Sequence, residues 1–252
     1  MITTVLFDMG GTLEDIWVDA ASEMEAIRQV DAMLKSFGLD PGCPIEELKA
    51  RVDAGWAAYG RFRDPTNIEL KPVQIWRDYV LASFGFPEDV LVPRCEALAH
   101  MWEVTHFHRR LRPRVKEMLE GLRQAGFRLG VISNTAALYQ VFDTLEEYGI
   151  RGYFEDVTLS SITGFRKPCT DIFTVSLRQM RVPASECVYV GDTMSRDIIG
   201  AKRAGFAAAI QITSKLTAEK DANTAREFEP DRVITDICDV LPVVKALADG
   251  TH

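Results

Sequence analysis

The sequence predicts an α/β protein: a doubly wound parallel sheet carrying an inserted all-helical domain. Three observations lead there. Short apolar or β-branched runs recur along the chain, each stopping at polar or glycine residues. Amphipathic helical patterns separate most of them, the alternation that right-handed βαβ crossovers produce. One interval, residues 16–108, breaks the rhythm with helical periodicity alone.

The first run, residues 2–7, ends at Asp8 and gives way to Met9-Gly10-Gly11-Thr12, which is turn chemistry. Four runs repeat the plan: 127–132 before Ser133-Asn134, 154–159 before Ser160-Ser161, 187–190 before Gly191-Asp192, and 206–210 before Gln211. A weaker sixth covers 232–235. Helices are expected over 114–124, 136–148, 169–180 and 196–204, with a last one over 240–247. In the long interval, helical stretches cover 20–37, 44–63, 72–84 and 88–107; the apolar positions Ile27, Val30, Ala32, Met33, Leu34 and Phe37 illustrate the spacing. Trp17, Trp56, Trp76 and Trp102 are expected to pack this bundle. The expected division is an α/β core over 1–15 and 109–252 and a helical cap over 16–108. Hinges are expected around 13–17 and 109–113, where Pro113 suits a first helical turn.

Composition narrows the function classes. The chain has 252 residues, 47% hydrophobic and 26% charged, which is ordinary for a globular protein. Its formal charge of −8 argues against nonspecific nucleic-acid binding. No apolar run approaches the ~20 residues of a membrane helix, and residues 1–7 lack the basic start of a secretory signal. Cys43, Cys95, Cys169, Cys187 and Cys238 are scattered without a CxxC pair, so neither a zinc site nor a disulfide framework is expected, and a cytoplasmic protein is. His100, His106 and His108 lack the i, i+4 spacing of helical metal ligands and are expected at a solvated helix end.

In an open parallel sheet, ligands bind beyond the carboxyl ends of the strands. Asp8, Ser133, Lys167, Asp192 and Asp197 all fall there: three carboxylates, a hydroxyl and an ammonium drawn from about 190 residues of sequence. Each alone has an ordinary explanation as a turn or cap residue. Their joint arrival at one sheet edge does not.

At these residues the chain resembles the haloacid dehalogenase-like (HAD) hydrolase superfamily, over nearly its whole length. The motifs are Val5-Leu6-Phe7-Asp8-Met9-Gly10-Gly11-Thr12-Leu13, Val131-Ile132-Ser133-Asn134, Lys167 within Gly164-Phe165-Arg166-Lys167-Pro168, and Gly191-Asp192-Thr193-Met194-Ser195-Arg196-Asp197. The resemblance implies a Rossmann-like core with a first-type helical cap and a Mg²⁺-dependent phosphatase acting on a small phosphorylated molecule. Asp8 would be the nucleophile, forming an aspartyl-phosphate. Asp8, the Gly10 carbonyl and Asp192 would hold Mg²⁺, with Asp197 as a further ligand or as a partner orienting Lys167 or water. Ser133 and neighbouring groups of Gly11 and Asn134 would bind phosphoryl oxygens, and Lys167 would neutralise one.

One position departs from the pattern. The family's phosphatases carry an acid–base Asp two residues after the nucleophile; here that residue is Gly10. Such groups contribute about 10²–10⁴-fold. Glu14 or Asp15 would substitute only if the loop turned one inward. The alternatives are a weakly active or inactive member that binds a phosphometabolite or a partner protein, a 2-haloacid dehalogenase, or a phosphonate hydrolase. The dehalogenase branch has Tyr at position 10 and lacks the Gly-Asp kept here as Gly191-Asp192. The phosphonate branch needs a Schiff-base lysine, for which the cap offers Lys35, Lys49 and Lys71. Arg61, Arg63 and Lys71 flank a cap break and are candidates to meet an anionic substrate.

Overall fold

The computed structural model describes residues 1–214, 221 and 227–250. Its main sheet has six strands in the order β5-β4-β1-β6-β7-β8, every neighbouring pair parallel. They are β1 (Thr4–Phe7), β4 (Arg128–Ser133), β5 (Asp156–Leu159), β6 (Cys187–Gly191), β7 (Ala208–Ile212) and β8 (Arg232–Ile234). All six lie within or beside the predicted runs. β1 is central because its side chains are buried on both faces. Val5 and Phe7 join the cluster under the helices Val115–Gln124, Gln140–Glu147 and Val240–Ala248, whereas Leu6 joins Ile132, Phe173 and Tyr189 on the opposite face. Period-two alternation on a doubly covered strand produces this split. The chain runs outward from β1 to β4 and β5, then returns across β1 to β6. The chain order therefore reverses beside β1, where Asp8 leaves the sheet.

The helical insert has its own core. Ala26, Ile27, Val30 and Leu34 of the helix Ala20–Ser36 pack against Leu48, Val52 and Tyr59 of the helix Ile45–Thr66, and against Leu98 and Trp102 of the helix Cys95–Thr105. Trp56 stacks on Trp102 at 5.4 Å and meets Trp76 edge-on at 5.9 Å. Trp17 is the exception to the expected packing: it lies outside this cluster and stacks on His108 at 5.1 Å.

The structure differs from the sequence reading at the two segments taken as hinges, in two stretches of the insert and at one helix start. The segments taken as hinges pair with each other, Glu14–Trp17 (β2) antiparallel to His108–Leu111 (β3). Neither is an apolar run; charge and stacking hold them, with Asp15 opposite Arg110 at 3.1 Å and Trp17 opposite His108. The stretches 72–84 and 88–107 are each broken. The first passes from α-helix through a π-turn at Trp76–Val80 to a 3-10 turn at Ala82–Phe84, and the second breaks at Val92–Arg94, around Pro93. The helix expected from 136 begins at Gln140, because the Glu96 carboxylate captures the N–H groups of Leu138 (2.9 Å) and Tyr139 (3.2 Å).

Candidate active site

The site stands on the carboxyl ends of β1, β4 and β6. Asp8 follows β1, its N–H donating to the Val190 carbonyl at 2.9 Å, so the backbone of the neighbouring strand fixes where its carboxylate starts. Ser133 ends β4, and Asp192 follows β6. Lys167 arrives from the loop after β5. The Asn134 side chain holds its backbone at both ends: Asn134 Oδ1 accepts from Lys167 N–H at 2.9 Å and Nδ2 donates to its carbonyl at 3.2 Å. Asn134 thus places Lys167.

Lys167 is buried and its ammonium meets four oxygens: Asp8 Oδ1 and Asp197 Oδ1, each at 2.6 Å, the Tyr189 hydroxyl at 2.9 Å and the Ile132 carbonyl at 3.0 Å. The other oxygen of Asp197 accepts from Thr193 N–H at 3.0 Å and from its hydroxyl at 2.5 Å. Burial acts to raise the Asp197 carboxyl, but Lys167, Arg196 and the Thr193 bonds outweigh it and hold its pKa at about 2. Asp8 goes the other way. Burial raises its pKa and the Asp197 charge adds to this, with Lys167 only partly opposing.

Asp8, Asp192 and Asp197 each offer a carboxylate oxygen within 4.8 Å of the others', all three side chains buried. Among the described residues no other group of His, Cys, Asp and Glu gathers this way. Hard oxygen donors at this spacing suit a divalent cation that takes oxygen ligands. Gly11 shows how tightly the pocket is built: it has φ +93°, and a Cβ there would stand 2.3 Å from Asp192 Oδ2. Its N–H donates to the Glu14 carbonyl at 2.8 Å and so closes the loop.

At Gly10 a Cβ would meet Ile16 at 3.6 Å and Glu14 Oε1 at 3.7 Å, ordinary contacts. Of the two acidic residues that follow, Glu14 turns inward and is fully buried, bonded to Arg109 and to the Tyr148 hydroxyl at 2.9 Å. Asp15 turns outward to Arg110 and Arg112.

Above these groups lies a cavity of about 450 Å³ between the strand ends and the insert. Asp8, Ser133, Asn134 and Lys167 line its floor; Trp56, Trp102 and His106 line one wall; Arg63, Arg109, Arg166 and Arg196 bring four guanidiniums. His106 is half-buried against Trp102 at 4.6 Å, not solvated at a helix end as expected, while His100 and His108 pair with Asp143 and Asp19. Of Arg61, Arg63 and Lys71, the cap residues expected to meet an anionic substrate, only Arg63 lines the cavity. Lys71 donates to the Ser161 and Ile162 carbonyls at 2.7 Å, tying insert to core, and Lys35 and Lys49 pair with Asp31 and Asp53. Sequence reasoning missed Arg166, Arg196, Glu69 and Tyr189. Arg196 carried a signal, since it stands inside the fourth motif.

Fold and site together define a capped α/β hydrolase. The chain belongs to the haloacid dehalogenase-like hydrolase family, whose profile matches residues 2–205. It is 30% identical to a glyceraldehyde 3-phosphate phosphatase of Methanopyrus kandleri over 98% of this chain and 99% of that one. A phosphoglycolate phosphatase of Vibrio parahaemolyticus is 39% identical over 38% of this chain and 42% of its own length. Among solved structures, a 2-haloacid dehalogenase of Pseudomonas syringae pv. tomato superposes with a TM-score of 0.70 at 26% identity, covering 97% of this chain and 99% of that one. Among the described residues no helix is long and apolar enough to cross a membrane.

Proposed function

We propose that the chain is a Mg²⁺-dependent phosphatase of small phosphorylated metabolites, acting through an aspartyl-phosphate on Asp8. The observation that carries this is the contact of Asp8 with both a buried lysine and a three-carboxylate cluster. A halide leaves without needing a cation, so a dehalogenase has no use for the third carboxylate, Asp192. The names of the Methanopyrus and Vibrio relatives support the same choice. A phosphonate hydrolase finds no lysine of the insert at the cavity.

Asp8, the Gly10 carbonyl and Asp192 would hold Mg²⁺, which when bound offsets the repulsion between the Asp8 carboxylate and a phosphate dianion. Both oxygens of Asp197 are already engaged, so its part is to hold Lys167 and the Thr193 loop in place. Asp8 attacks phosphorus as the P–O bond to the leaving alcohol breaks. Lys167 shares the charge of one phosphoryl oxygen, and Ser133 and the β4 loop bind the others. Water then cleaves the aspartyl-phosphate to release inorganic phosphate and restore Asp8. With no side chain at Gly10, protonation of the leaving oxygen is slow, and this favours substrates whose alcohol departs easily.

The test is hydrolysis of p-nitrophenyl phosphate, whose leaving group needs little protonation. Turnover with Mg²⁺, its loss in EDTA and its abolition by Asp8→Asn are expected. Turnover that survives EDTA or Asp8→Asn would overturn the proposal, and so would the absence of turnover by the wild-type protein.

A further inference from the structure

We infer that the substrate carries a second anionic group, a carboxylate or another phosphate, held by Arg196 and Arg63 on the cavity wall. This rests on the phosphatase reading for the first anion and adds the class of the rest of the molecule.

Arg166 is matched: it pairs with Glu69, whose side chain is fully buried and also accepts the Tyr59 and Ser160 hydroxyls. Arg109 is matched twice, by Glu14 and by Glu103 at 2.8 Å. The acidic residues of the lining other than Asp8 are likewise occupied, Glu103 by Arg109 and Asp53 by Lys49 at 2.7 Å. Arg63 has a single ion pair, through Nε to Asp64 at 2.9 Å, with the Asp64 side chain two-thirds exposed (67%). Among the described residues Arg196 forms no ion pair; its Nε reaches only the Thr193 hydroxyl at 3.4 Å. Arg196 is half-buried, so part of its hydration is already lost.

Burial disfavours the charge of Arg166, its partner Glu69 favours it, and Arg63 and Arg196 disfavour it again, so these guanidiniums stand close enough to repel one another. A fixed, partly desolvated cation facing a cavity is stabilised by an anion that enters it. The reacting phosphoryl group already has Lys167 and the cation site at the floor. Arg196 acts on Asp8 and Asp197 through charge, without a direct ion pair, and Arg63 has only the exposed Asp64, so both keep hydrogen-bonding capacity that a plain alkyl phosphate leaves unused and that an anion at the far end of a substrate would take up. The planar guanidinium fork suits both carboxylate and phosphate.

The experiment measures binding by calorimetry to the full-length Asp8→Asn protein with Mg²⁺, using ethyl phosphate, phosphoglycolate and 1,2-ethanediol bisphosphate. At least one doubly anionic ligand is expected to bind about 10- to 100-fold more tightly than ethyl phosphate, the scale of a charge-assisted hydrogen-bonded pair. Which of them does so names the second group. Adding Arg196→Ala or Arg63→Ala should cut that preference about tenfold or more, with Arg63→Lys intermediate because charge remains and the fork is lost. Equal binding of all three ligands, no binding of any, or a preference that survives both substitutions would overturn the inference. Equal losses for ethyl phosphate and the dianions would also overturn it, because the arginines would then serve the reacting phosphoryl group. Turnover by the wild-type protein is measured in parallel. Absent turnover with the preference intact rejects the phosphatase reading alone, and turnover without the preference rejects this inference alone.

Discussion

Replacing Lys167 by Met removes the one ammonium between two buried carboxylates and keeps a side chain of similar length. The Asp8 and Asp197 oxygens each lie 2.6 Å from it, and both carboxylates are buried, Asp197 completely and Asp8 at the floor of the cavity. Breaking a buried pair by removing one partner costs about 3–5 kcal/mol, because the remaining charge is left uncompensated. At about 2–4 °C per kcal/mol for a chain of this size, the melting temperature should fall by about 6–20 °C. The measurement is a thermal melt in EDTA at neutral pH on wild type, Lys167→Met and the double variant Lys167→Met/Asp197→Asn. If the loss comes from an uncompensated carboxylate, neutralising that carboxylate restores part of it, and the double variant should be about 1–3 kcal/mol more stable than Lys167→Met. Acid should do the same. In wild type the low pKa of Asp197 contributes stability above its ordinary value of 3.8, and that contribution is lost as pH falls towards 2. Without Lys167, burial dominates and the folded pKa rises, so acidifying from pH 7 should narrow the gap to wild type. A melting temperature within about 3 °C of wild type, or a double variant less stable than Lys167→Met, would refute the reasoning.

Two further outcomes follow from the same geometry. Gly11→Ala combines a left-handed backbone with a Cβ 2.3 Å from Asp192 Oδ2, so it should cost about 2–5 kcal/mol in denaturant melts and weaken Mg²⁺ binding in calorimetry; stability and Mg²⁺ affinity both equal to wild type would contradict the placement of Asp192. Burial and the Asp197 charge hold the Asp8 pKa above its ordinary value, so Mg²⁺ must displace a proton as pH falls below that raised value. Apparent affinity should then drop by up to about tenfold per pH unit, with binding heats that depend on the buffer's ionisation enthalpy, and heats independent of the buffer would count against it.

The sheet and the floor of the site were legible because burial and chemistry coincide there. β1, β4 and β6 are covered on both faces and so read as apolar runs, and the polar residue that ends each run marks the ligand edge. The β2–β3 ribbon was illegible because two four-residue strands with sequences EDIW and HRRL have no hydrophobic period; cross-strand charge and stacking hold them. The cavity wall was illegible for another reason. A lone arginine in sequence looks the same whether it is solvated, paired or facing a cavity, and Arg61, Arg63 and Lys71 turned out to have three different fates. Only the position of a buried partner such as Glu69 separates a matched arginine from a surplus one.

Charge balance also bears on Gly10. A side chain there would start 3.7 Å from Glu14 Oε1, and that carboxylate is buried, with Arg109 and Tyr148 as its partners. Arg109 in turn reaches Glu103 of the insert through its other terminal nitrogen. A carboxylate added at position 10 would set a second negative charge beside the buried Glu14, with one guanidinium already shared between two acids. The glycine at position 10 and the inward turn of Glu14 are thus two sides of one local charge balance. Glu14 uses the nearby Arg109 to tie β2 to β3 and to the insert, and the glycine keeps a second carboxylate away from that pair.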